Sequence, residues 1–275
     1  MYQSILVPLD GSPMSEQAVA MAISIAQRTH VTIHLVHVHA QFVSIHDALS
    51  TRDTSTDQQQ YEQAHTYLTG VARQLREQEI HVRTAVLAGP VAPILAAYVE
   101  RHAIDLAVMT THGRNATSHL WFGSVADQLV RALAMPVLLL RASVDIPVGQ
   151  TPRAICHILI PLDGSELSEG CIAPALDLGT MMQARYTLLH VVEHLPAAEQ
   201  REFATSTSSA QALLAAEHAA ACYLDHVAAG LIARAPDIQI AVTTGRPSEM
   251  IAAYAKQQAV DLIAMSTHGR SGFAH

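Results

Sequence analysis

Short runs of apolar and β-branched residues alternate with longer amphipathic segments along most of the chain. The first run, YQSILVP (Tyr2–Pro8), is too short for a helix and reads as a strand buried on both faces. GSPMSEQAVAMAISIAQ follows, with Ser12 placed to cap a helix and Pro13 at its first position. VTIHLVHV (Val31–Val38) is a second strand. The polar stretch STRDTSTDQQQ (Ser50–Gln60) reads as a loop, and a long helix is expected from about Asp57 to Glu79. HVRTAVLA (His81–Ala88) is a third strand, ended by Gly89. VAPILAAYVERH (Val91–His102) is a helix with Ile94, Leu95 and Tyr98 on one face. IDLAVMT (Ile104–Thr110) is a fourth strand, HLWFGSVADQLVRALA (His119–Ala134) a helix and PVLLLRA (Pro136–Ala142) a fifth strand. This alternation predicts an α/β fold, with a parallel sheet covered by helices on both faces.

The pattern then starts again. SILVPLDGSPMSEQAVAMAISIAQ from Ser4 matches HILIPLDGSELSEGCIAPALDLGT from His157, and IHLVHV (Ile33–Val38) matches YTLLHVV (Tyr186–Val192). VLAGPVAPILAAYVERHAIDLAVMTTHGR likewise matches VTTGRPSEMIAAYAKQQAVDLIAMSTHGR. Asp10 recurs 153 positions on as Asp163, and His112 recurs 156 positions on as His268. The second copy therefore carries three extra residues, between His190 and Gly245, where a loop absorbs them at little cost. SVDIPVGQTPRA (Ser143–Ala154), with its two prolines and a glycine, reads as the joint between copies. The expected domains are residues 1–142 and 154–275, with a linker over 143–153. The second domain reaches His275 without a last helix and fifth strand, which would leave an apolar edge bare. A native chain running on past His275 is the expectation.

Composition narrows the function. Half of the 275 residues are hydrophobic and 15% are charged, enough to fill two cores and too apolar for disorder. The formal charge is −8 and Lys256 is the single lysine, so no basic face for nucleic acid is expected. No apolar run has the length of a membrane span, and the first residues lack a signal-peptide pattern. A cytoplasmic protein with neither membrane nor nucleic acid as partner follows. Cys156, Cys171 and Cys222 fall in no metal-ligand spacing and are expected to be buried, inert thiols. His37 and His39 share one side of a strand, but nothing fixes a third ligand, so no metal site is expected.

In an open parallel sheet, ligands bind beyond the carboxyl ends of the strands where the strand order reverses. The residues there are Pro8 and Asp10 after strand one, Val38 after strand two, Gly89 after strand three, and Thr110–Thr111–His112–Gly113–Arg114 after strand four. Gly123 and Ser124 follow, within the next helix or at its start. Glycines and small hydroxyl residues before a helix suit a phosphate, because backbone N–H groups approach closely and the helix N-terminus favours an anion. The Asp10 carboxylate suits a ribose hydroxyl or a base N–H. The Walker and dinucleotide glycine loops are both missing from the sequence.

ILVPLDGS, LVHV, MTTHGR and GSVADQLVRALAMPVLLLR resemble the universal stress protein family, and ILIPLDGS, LLHVV and MSTHGRSG repeat the resemblance in the second copy. The chain is thus similar to tandem members of that family. The resemblance implies two open sheets of strand order 3-2-1-4-5, the second lacking its last helix and strand. It implies ATP or AMP, with Mg2+ as a companion of the phosphates, held between strands one and four. The family pattern Gly-x2-Gly-x9-Gly-Ser/Thr falls on Thr110, Gly113, Gly123 and Ser124, with Thr110 in place of the first glycine. In the second copy Ser266 takes that place, Gly269 matches the second glycine and the Gly-Ser pair lies beyond His275. Carried over, Asp10 and Val38 border the base and ribose, and Gly113, Gly123 and Ser124 the phosphates, with Thr110 beside both; Pro8, Gly89, His112 and Arg114 complete the candidate lining, His112 as an organiser of its loop. Asp163, Val191, Gly245, Ser266, His268 and Gly269 are the second-copy counterparts. Pairing of the two domains and a homo-oligomer are implied as well. The function implied is regulatory nucleotide binding in a stress response. A slow ATPase and a nucleotide-free, chaperone-like module are the alternatives.

Overall fold

The computed structural model describes residues 2–39, 54–111, 123–141, 154–193 and 207–267. His112, Gly113, Arg114, His268 and Gly269 lie outside the described residues. The chain forms two compact units, residues 1–152 and 153–266.

The first unit runs β1 (Ser4–Pro8), α1 (Pro13–Ala26), β2 (Thr32–His39), α2 (Thr54–Arg76), β3 (Val82–Ala88), α3 (Val91–His102), β4 (Leu106–Thr110), α4 (Ser124–Ala132) and β5 (Val137–Leu140). All four strand pairs are parallel, and the order is β3-β2-β1-β4-β5. Side chains alternate between faces along each strand. Leu6, Val36, Ala107 and Met109 point to the face covered by α3 and α4, where they pack with Leu95, Tyr98, Val99, Ala126 and Leu129. Their neighbours Ile5, Val7, Leu35 and Val108 fill the opposite face, which α1 and α2 cover. The helices thus lie on both faces, as the alternation of elements predicts.

Several boundaries differ from the sequence expectation. The segment Thr54–Gln60, read as loop, is the first part of α2, and the helix ends at Arg76 rather than Glu79. Its apolar stripe begins only at Ala64 and continues through Leu68, Ala72 and Leu75, so the earlier turns carry no periodic signal. The fourth strand starts at Leu106, because the Asp105 carboxylate turns away to accept the backbone N–H groups of Gln3 and Ser4, at 2.7 and 3.0 Å.

The second unit runs β6 (His157–Pro161), α5 (Glu166–Glu169), α6 (Ile172–Met182), β7 (Arg185–Val192), α7 (Thr207–Leu231), β8 (Gln239–Thr244), α8 (Pro247–Gln257) and β9 (Leu262–Ile263). Its strands are ordered β8-β7-β6-β9, the first unit's order without a fifth strand among the described residues. Asp261 repeats the clamp of Asp105, accepting from Cys156 and His157 N–H at 3.0 and 3.1 Å. The counterpart of α1 is broken in two at Gly170, whose N–H is shared between the Glu166 and Leu167 carbonyls, both at 3.2 Å. Beyond the break, Gly179 lets Tyr186 lie directly on α6, since a Cβ at Gly179 would overlap the tyrosine ring.

Candidate functional site

β1 is followed by α1 on one face of the sheet, and adjacent β4 is followed by α4 on the other. The order therefore reverses between them, and the chain parts to leave a crevice. β1 and β4 are paired through Ile5↔Leu106 and Leu6↔Ala107, so the loops that follow them leave from neighbouring strands. The Gly123 N–H donates to the Thr111 carbonyl at 2.6 Å, which brings the start of α4 against the end of β4. Gly123 is the N-cap of α4 and has no side chain to satisfy the first-turn N–H groups. Helix N-termini of this kind favour anions. The sequence expectation placed the start of this helix at His119; the described helix begins at Ser124. Gly123 and Ser124 thus stand at its mouth rather than inside it.

Across the crevice the loop PLDGS makes a closed hydrogen-bond circuit. Gly11 adopts φ +78, which folds Asp10 back over the turn. Asp10 Oδ1 accepts from the Ser12 N–H at 2.9 Å and from the Ser12 hydroxyl at 2.6 Å. Ser12 Oγ caps α1 by accepting from Ser15 N–H at 3.2 Å, and Ser15 Oγ donates to the Ser12 carbonyl at 2.9 Å. The second unit repeats every step with Asp163, Gly164, Ser165 and Ser168. The hydrogen bonds from Ser165, followed by that from Ser168, hold the Asp163 carboxyl at about 2, below the usual carboxylate range. A carboxylate so held is an acceptor at neutral pH and a poor general base.

The residues at the first motif glycine have a place in the packing. Thr110 is 7% exposed and shares the α1–α2 side of β4 with Val108. Its counterpart Ser266 faces the α5–α6 joint, where a Cβ on Gly170 would lie 3.5 Å from Ser266 Oγ. The bulk at this position is turned into the fold on that side of the sheet.

Pro8 ends β1 opposite Val36, and Val38 pairs with Leu87 and packs on the α3–α4 cluster. Val191 pairs with Thr243 in the second unit. Gly89 and Gly245 extend the ladder by donating to the His39 and Val192 carbonyls, both at 3.0 Å. They sit at φ +135 and +148, with Ile94 and Met250 closing on the space a Cβ would occupy. Backbone geometry alone accounts for both glycines.

Sequence reading missed a polar pair that occurs in both units. The Tyr67 hydroxyl donates to Glu16 Oε1 at 2.9 Å, and the Tyr223 hydroxyl donates to Glu169 Oε1 at 2.8 Å. Burial and then the neighbouring carboxylate push both tyrosines up, Tyr223 to about 12. The signal was present, since Glu16 recurs at the first offset and Tyr67 at the second. The cysteine expectation holds only in part: Cys171 is buried, whereas Cys156 and Cys222 are exposed. Among the described residues no cluster of three metal-ligating side chains occurs, and no helix is long and apolar enough to cross a membrane.

The model of the universal stress protein family matches residues 1–141 and again 155–275. A universal stress protein of Mycobacterium tuberculosis is 26% identical over 288 aligned positions, covering 98% of this chain and 87% of the relative. A universal stress protein of Methanocaldococcus jannaschii is 27% identical over 143 positions, 51% of this chain and 83% of its own length. Among solved structures, a universal stress protein of Archaeoglobus fulgidus superposes with a TM-score of 0.65 at 17% identity, covering 94% of this chain and 85% of that one.

Proposed function

The chain belongs to the universal stress protein family, and we propose that its first unit binds an adenine nucleotide, ATP or AMP, in the crevice between β1 and β4. The observation that supports this most is the Gly123–Thr111 hydrogen bond of 2.6 Å. It brings an uncapped helix N-terminus to the end of β4, next to the strand that leads into the Asp10 loop. The two ends suit the two ends of a nucleotide. Asp10 accepts from a ribose hydroxyl or a base N–H, with Pro8 and Val38 beside it, and the N–H groups opening α4 receive phosphate. Mg2+ accompanies the phosphates of ATP.

The role is regulatory rather than catalytic. Asp10 is committed to Ser12, and the same circuit in the second unit keeps Asp163 ionised, which suits holding a ligand more than moving a proton. In the second unit Asp163 and Val191 offer the nucleoside end. The protein acts in the cytoplasm, where the bound nucleotide steadies the loops of the crevice and biases a surface for a partner or a second copy.

Thermal melting of the full chain with and without ATP and Mg2+ tests this reading. A ligand that binds only the folded state stabilises it by about 2.7 kcal/mol at a hundredfold excess over Kd. A raised midpoint without phosphate release is expected. An unchanged midpoint at millimolar ATP and AMP would leave the nucleotide-free module, and steady phosphate release would make the protein an ATPase.

A further inference from the structure

Tyr67 lies near the middle of α2, 51 residues from its partner Glu16, and Tyr223 lies on α7, 54 residues from Glu169. The two pairs are thus rebuilt across loops of different length. In each unit the glutamate stands in the first helical turn after the PLDGS loop, directly after the serine of the aspartate circuit (Ser15 or Ser168). That serine hydroxyl also faces the tyrosine hydroxyl, and the tyrosine feels the charge of the loop aspartate, Asp10 or Asp163. Ser15 Oγ in turn accepts from the Asp10 N–H at 3.4 Å, and Ser168 Oγ from the Asp163 N–H at 3.3 Å. Tyr223 is further wedged by His190 of β7, edge-on to its ring at 6.0 Å between centroids. A half-buried phenol joined to a carboxylate is a directional strut, because the hydroxyl has one proton to give and the acceptor fixes where it points.

We propose that Tyr67 and Tyr223 are positioning residues for the nucleotide crevice: through Glu16 and Ser15, or Glu169 and Ser168, each fixes the turn that presents Asp10 or Asp163. The proposal rests on the nucleotide reading above. It extends that reading from the crevice wall to a residue on a different helix, which touches no ligand itself.

The test uses the full chain with Tyr67→Phe and Glu16→Gln, the latter keeping an acceptor for the phenol. Amide hydrogen exchange at Asp10, Ser12 and Ser15 reads the order of the turn, and calorimetric titration with AMP and with ATP reads the ligand. In Tyr67→Phe, exchange at these amides rises at least tenfold while amides of β2 and β3 stay protected. Affinity falls about fivefold, the scale of one hydrogen bond, and by the same factor for AMP and ATP because Asp10 serves the nucleoside end. Glu16→Gln stays close to wild type in both readouts. Unchanged exchange in Tyr67→Phe overturns the proposal. So does faster exchange with unchanged affinity, which reduces the pair to a strut between helices. Absence of AMP and ATP binding by the wild-type chain is a separate result: it removes the nucleotide reading and the proposal with it.

Discussion

His34 shows how one buried group sets a pH limit. Its ring is 2% exposed on the α3 side of β2, with Nδ1 3.0 Å from the Tyr98 hydroxyl. The His102 ring lies 5.6 Å away, between centroids. Burial first, then the positive charges of Arg83 and His102, lower its pKa from 6.5 to about 4. Between those values the unfolded chain binds a proton that the folded chain refuses. The contribution is therefore complete above about pH 6.5 and is lost as pH falls towards 4, on the order of 3 kcal/mol in all. Urea unfolding at pH 7 and pH 5 should show this loss. The variant His34→Thr, which adopts the residue the second unit has at Thr187, should show a shallower pH dependence; an equal slope would remove His34 as the cause. His34 was not legible from pattern, and the Tyr67–Glu16 pair was legible only as two separate recurrences in the repeat, not as a contact. A lone histidine in an apolar strand gives no sign of its depth, and a pair 51 residues apart has no local signature. Asp10 was legible because the PLDGS loop that holds it occurs twice.

The elements separate what sequence period can encode from what packing decides. The start of α1 was readable from Ser12 and Pro13, since capping is local chemistry, and the structure places the Ser12 hydroxyl at the Ser15 N–H. Ser12→Ala should cost about 1–2 kcal/mol in chemical denaturation. A loss much below that would mean that the Asp10 circuit does not depend on the cap. The start of α2 was not readable, because its opening turns show no apolar stripe. The break between α5 and α6 was not readable either, since Gly170 and Gly179 look alike in sequence and do different work. Gly179 makes room for Tyr186, whose hydroxyl reaches the Leu176 carbonyl at 3.1 Å. The first unit has Ala26 and Ile33 at these two places. Gly179→Ala should destabilise by about 1–3 kcal/mol through overpacking, and adding Tyr186→Ile should recover most of the loss. No recovery would show that the glycine serves the helix rather than the tyrosine.

On the scale of the whole molecule, two units of one pattern differ in how well they are covered. Met109 of β4 is 6% exposed beneath α4 and β5, while its counterpart Met265 is 57% exposed beside β9. Helix α3 buries Ala92, Leu95, Tyr98 and Val99, whereas α8 has no buried residue among those described. Local stability follows buried apolar contact. Amides of α8 and β9 should therefore exchange faster than those of α3 and β4; equal protection would contradict the difference in coverage. The doubling of the unit was legible from the repeat, and the strand order from the resemblance to the family. The central claim is that the first unit holds an adenine nucleotide between Asp10 and the start of α4. An amide NMR titration of the 15N-labelled chain with ATP and Mg2+ tests it most directly. The account predicts saturable shifts centred on Asp10–Ser12 and Gly123–Ala126; no shift at millimolar ATP, or shifts centred on β3 and the outer face of α2, would contradict it.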